Sequence, residues 1–116
     1  MGISTETLGS EIKARLGTAE GISYRIVRVY EPSWTGATEE IVQEALEATR
    51  LIVDSKAVVN MRVGASDARL FRASGVPSVV VGLTPYNMGA GDEYLEVGEL
   101  VQVAQIHAVT AYRYLS

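Results

Sequence analysis

Gly64-Ala65-Ser66-Asp67-Ala68-Arg69 places a serine and an aspartate where a short helix begins, and an arginine one turn further on. A segment of this kind can bind an anion. The first N–H groups of a helix have no partner inside it, and its aligned peptide dipoles leave positive charge at that end. Arg69 adds a planar, permanently charged fork matched to a carboxylate. The same residues admit a plainer role, with Ser66 as a helix cap and Arg69 solvated on the surface. A Gly-rich stretch from Gly82 to Glu93 follows closely.

The other chemistry-bearing residues are sparser. Asp92 and Glu93 follow a Gly-rich turn and are possible metal or acid–base carboxylates. Adjacent residues on an extended chain point to opposite faces, so they do not make a simple pair. Loop solubility and a hydrogen bond to the backbone are the favoured account of both. Gly82, Gly89 and Gly91 fall after an apolar run, where nucleotide loops often sit. The spacing fails G-x-G-x-x-G, because Tyr94 takes the last position, and no Gly-Lys-Ser/Thr is present. His107 is the single histidine. A helical metal pair would need a ligand three or four residues away, and those positions hold Val103, Ala104, Thr110 and Ala111. His107 therefore reads as structural. Tyr112 and Tyr114, two residues apart in a helical stretch, cannot share a face and read as packing residues with wet tips.

Composition narrows the classes further. A chain of 116 residues suits one small domain, able to bury roughly 65% of its unfolded surface. The formal net charge of −4, without a Lys/Arg cluster, argues against nucleic acid and anionic membrane as partners. There is no cysteine, which removes disulfides, thiolate–zinc sites and thiol catalysis and fits a cytoplasmic location. No apolar run approaches the length of a membrane span. The first residues, Met1-Gly2-Ile3-Ser4-Thr5-Glu6, carry neither the apolar stretch of a signal peptide nor a myristoylation signal.

The elements that must position these residues follow from periodicity and breakers. Leu8, Ile12 and Leu16 recur every four residues and predict a helix from Thr5 to Leu16, stopped by Gly17. Ile22 to Tyr30 predicts a strand with one wet face, because Ser23 and Arg25 alternate with Ile22, Tyr24 and Ile26. Glu31 to Ala37, with Pro32 and Gly36, predicts a loop and is the clearest seam. Thr38 is a plausible N-cap, and Ile41, Val42, Ala45, Leu46, Ile52 and Val53 form one helical stripe running to about Asp54. Ala57 to Val63 predicts a second strand. Ser66 to Ser74 predicts a short helix, ended by Gly75 and followed by Pro77. The apolar run Val76 to Val81, too short for a helix, predicts a strand buried on both faces. Gly98 to Leu115 predicts a last helix packed on two sides. The alternation predicts an α/β fold, a βαβ-type layered domain with mostly parallel strands and right-handed crossovers.

The order Gly64-Ala65-Ser66-Asp67-Ala68-Arg69, Gly75-Val76-Pro77, Gly82, Asp92-Glu93-Tyr94 and a terminal helix resembles the C-terminal end of the acetylornithine deacetylase / succinyl-diaminopimelate desuccinylase family of zinc-dependent amidohydrolases and peptidases. The resemblance runs from about Thr38 to Ser116. More weakly, Thr5 to Tyr30 resembles the last helix and strand of that family's inserted lid, or dimerisation, domain. It implies a remnant of the lid over residues 1–36 and the C-terminal part of a catalytic domain over 37–116. It implies a longer parent that hydrolyses the amide bond of N-acyl amino acids or small peptides, with two zinc ions activating water and a glutamate as general base. Most of that machinery lies in an N-terminal half outside this chain. Ser66, Asp67 and Arg69 would sit beside the substrate, Arg69 as the carboxylate clamp, with Asn87 a further substrate-binding candidate. The family's last zinc-ligating histidine falls at Gly89, which has no ligand atom, and Glu93 is left as a weak metal candidate. A catalytic zinc needs three or more protein ligands, so the chain is expected to be inactive alone. The expected partners are a small-molecule carboxylate and either a second copy of the chain or the missing N-terminal catalytic part. The alternative is a stand-alone α/β interaction or oligomerisation module.

Overall fold

The computed structural model describes residues 3–17, 20–54, 57–61, 64 and 66–116. Four helices, α1 (Thr5–Leu16), α2 (Glu40–Val53), α3 (Ala68–Ala73) and α4 (Val97–Leu115), account for 48% of them. The chain divides into two compact units, Met1–Ser33 and Trp34–Ser116.

In the first unit, Ser4 caps α1 by accepting from the Thr7 N–H at 3.1 Å, and Gly17 closes it by donating to the Lys13 carbonyl. Gly9 lies against Ile26, whose Cδ1 would be 3.7 Å from an added Cβ, so the helix meets the 22–30 segment where its own side chain is absent. That segment, expected as a strand, forms no ladder among the described residues. The guanidinium carbon of Arg28 lies 5.9 Å from the centre of the Tyr30 ring, a cation–π contact.

In the second unit, α2 packs on α4. Val42, Ala45 and Ala48 of α2 and Ile106 of α4 are the buried apolar residues among those described. Of the expected stripe, Val42 and Ala45 are buried and Ile41, Leu46 and Ile52 half-buried, whereas Val53 is exposed and Ala48, outside the expected stripe, is buried. Small residues at 45 and 48 allow close approach, and an Arg113–Glu44 ion pair flanks the seam. The expected two-sided packing of α4 is not found. Glu99, Val103, Ile106, Val109 and Thr110 are its buried or half-buried positions, while Leu100, Val101 and Tyr112 stay exposed. The α2 helix ends at Asp54, which adopts the left-handed conformation at φ 48°, ψ 41°.

The expected α/β fold with parallel strands is overturned. Among the described residues there is no sheet, and strand content is 2%, the single bridge Tyr86–Tyr94. The segments 57–61 and 76–82, where β-branched runs favour strands, form no ladder among the described residues. Competing groups take main-chain positions where a ladder would form. Thr35 Oγ1 accepts from the Ser78 N–H, the Ser78 carbonyl accepts from Thr35 and Arg72, and the Val81 carbonyl meets His107. Nor is the 76–81 run buried on both faces: Val79 and Val81 are half-buried, but Val80 is 60% exposed. The last two positions of the expected second strand, Arg62 and Val63, lie outside the described residues.

Candidate functional site

The 66–74 turn is built from its own polar groups. Ser66 Oγ accepts from the Ala68 N–H at 3.3 Å, and the Ser66 and Asp67 carbonyls accept from the N–H groups of Arg69 and Leu70. α3 then runs for six residues, until Gly75 at φ 78° reverses the chain. Glycine takes that conformation without penalty, and the Val76 N–H closes back on the Phe71 carbonyl. So short a helix offers little dipole, and any anion site here depends on the guanidinium.

Arg69 folds back onto the turn. Its Nη1 donates to the Ser66 carbonyl at 3.0 Å and to Asp67 Oδ1 at 3.3 Å. Its side chain is 25% exposed, whereas that of Asp67 is 84% exposed. An ion pair with so solvated a carboxylate is worth about 0–1 kcal/mol, so Asp67 is a weak competitor for an incoming carboxylate. Ser66, Asp67 and Arg69 thus come together. Position 65, between Gly64 and Ser66, lies outside the described residues.

Asn87 does not join them through Ser66 or Asp67. Its Nδ2 donates to Asp92 Oδ2 at 3.1 Å within a separate loop. That loop is closed at its neck by the Tyr86–Tyr94 bridge, whose rings stack 4.9 Å apart at 10°. Inside it the Ala90 N–H bonds to the Asn87 carbonyl at 2.9 Å, forming a turn with Gly89 third at φ 84°. A turn with positive φ at its third residue selects glycine, which accounts physically for Gly89. A histidine there would carry backbone strain. Glu93 is tied to the same turn, its Oε2 accepting from the Gly89 N–H at 3.1 Å. Asp92 and Glu93 are therefore loop-fastening carboxylates, and among the described residues no three His, Asp or Glu side chains converge as a metal site.

Three polar connections were not visible in the residue pattern. Arg72 makes contacts far along the chain: Nε donates to Thr35 Oγ1 at 3.2 Å, and Nη2 donates to the Ser78 carbonyl at 3.0 Å. Glu99 Oε1 accepts from the Thr84 N–H and hydroxyl at 2.8 and 2.6 Å, pinning the 82–86 segment to the first turn of α4. His107 Nε2 lies 2.9 Å from the Val81 carbonyl. The only available signal was the recurrence of Arg three residues after Arg69, on a neighbouring helical position.

Against known protein families, curated proteins and solved structures, the chain finds no match. The site must therefore be read from its own geometry. No helix among the described residues is long and apolar enough to cross a membrane.

Proposed function

We propose that this chain is the C-terminal segment of a metal-dependent amidohydrolase acting on N-acyl amino acids or small peptides, in the cytoplasm, and that its own contribution is to hold the substrate's carboxylate. The observation that carries the reading is the placement of Arg69. The guanidinium lies over the Ser66–Asp67 turn, partly enclosed, with an exposed and weakly held aspartate as its ionic neighbour. A substrate carboxylate would displace Asp67 and form charge-assisted hydrogen bonds to the fork. Water activation, zinc and the general base belong to groups outside this chain, and the chain alone turns over no substrate.

Binding separates this from an incidental salt bridge. Titration calorimetry with an N-acetyl amino acid and its methyl ester should show the acid binding at least about tenfold more tightly, a difference lost in Arg69→Ala. Equal affinity for acid and ester, or equal binding by wild type and variant, would overturn the assignment. A second reading, a non-catalytic association module, is favoured by the small number of buried apolar residues among those described.

A further inference from the structure

The helix α4 carries a second apolar stripe, on the side away from its buried residue Ile106. Val97, Val101, Ala104, Ala108, Ala111 and Leu115 follow one another at intervals of four, three, four, three and four residues. That alternation is the spacing of a coiled-coil seam and keeps all six on one face of the helix. All six are exposed, Val97 at 72%, Val101 at 52% and Leu115 at 81%. The charged residues of α4, Glu99 and Arg113, lie off this face: Glu99 Oε1 accepts from the Thr84 hydroxyl, and Arg113 pairs with Glu44 of α2. A charged partner therefore finds no counter-charge on the stripe, whereas an identical helix meets no charge that repels it.

The order of side-chain sizes fits a second α4 running the opposite way. Turned end over end at the level of Ile106, the stripe maps onto itself. Val97 then meets Leu115 of the second copy, Val101 meets Ala111, and Ala104 meets Ala108. The central alanines let the two helix axes approach to about 8 Å. The antiparallel order also sets the positive end of each helix dipole beside the negative end of the other. Exposed Leu100 and Tyr112 flank the stripe. With about 150–200 Å² for each fully exposed large side chain, this face offers roughly 600 Å² per copy. Pairing two such faces removes roughly 1,200 Å² from water, the size at which specific interfaces begin. The helix is already packed on α2, so association need not supply the cost of forming it.

We propose that two copies of this chain associate through α4, the helices antiparallel about a two-fold axis at the level of Ile106. A two-fold contact uses the same patch on both copies, so this one stripe suffices to build it. The assembly is independent of the carboxylate reading, since mass and ligand affinity are read separately.

The test is sedimentation equilibrium of the 116-residue chain at micromolar concentration, with cysteine cross-linking to read the register. The chain has no cysteine of its own, so introduced thiols report without background. In the antiparallel pair, position 101 of one copy lies beside position 111 of the other, whereas the two 101 positions lie roughly 15 Å apart along the axis. The expected result is a dimer, and a disulfide-linked pair on mild oxidation of mixed Val101→Cys and Ala111→Cys chains but not of either variant alone. Ala108→Glu sets a carboxylate against Ala104 of the second copy and should raise the dimer Kd at least about tenfold. Gln102→Glu, the same charge gained at an exposed position off the stripe, should leave it unaltered. A monomer throughout the micromolar range, folded or not, overturns the proposal. So does a dimer that cross-links in either cysteine variant alone, one that fails to cross-link in the mixture, or one indifferent to Ala108→Glu. The mass of the unaltered chain needs no variant and stands even if a substitution disturbs folding.

Discussion

Thr35→Val isolates the node that ties the 34–36 loop, α3 and the 76–82 segment together. Thr35 Oγ1 accepts from the Ser78 N–H at 2.9 Å and from Arg72 Nε at 3.2 Å, and donates to the Ser78 carbonyl at 2.6 Å. Valine keeps the branched shape and removes the oxygen. The Ser78 carbonyl keeps its bonds from Arg72, and Arg72 Nε keeps its bond to that carbonyl at 3.2 Å. The Ser78 N–H, in a half-buried position, loses its one acceptor. An orphaned donor of this kind costs about 1–3 kcal/mol. With the loss of the threonine's own bond, the expected destabilisation is about 2 kcal/mol, up to a 30-fold fall in the folded-to-unfolded ratio. Thr35→Ser keeps the oxygen and should lose less than about 1 kcal/mol. Urea unfolding followed by helical circular dichroism measures both, the midpoint moving at constant slope. A Thr35→Val chain within about 0.5 kcal/mol of wild type would show that the node does not hold the segments together.

Two further outcomes probe the helices. Ile106→Ala empties the buried centre of α4, where the side chain is 3% exposed, and should cost about 2–5 kcal/mol in the same assay; a loss below about 1 kcal/mol would mean that α2 and α4 do not depend on this contact. Asp54→Gly relieves a non-glycine residue held at φ 48°, ψ 41° and should raise stability by about 0.5–1 kcal/mol; a lower urea midpoint would show that the aspartate side chain contributes to the cap.

Local sequence signals located the helices well because their limits are local. Gly17 closes α1, and Asp54 and Gly75 each take the left-handed turn that ends a helix. The strands were different. Val76 to Val81 dictates an extended backbone, but a ladder needs a second segment from elsewhere in the chain, and no periodicity reports which groups arrive first. Here they are side chains: Thr35, Arg72 and His107 reach the edge of this run. Thr35 and Ser78 are 43 residues apart, beyond any pattern of spacing. At the candidate site, the closeness of Arg69 to Ser66 and Asp67 was legible because it arises within one turn. The fastening of Asn87 to Asp92 was not, because it depends on a loop closed by two aromatic rings.

The stacked rings of Tyr86 and Tyr94 turn the residues between them into a ring with its own clasp. The helix α4 starts three residues beyond that ring. Within the ring Gly89 is held by its positive φ and Asn87, Asp92 and Glu93 by their hydrogen bonds, which leaves Met88, Ala90 and Gly91 to vary in charge and shape.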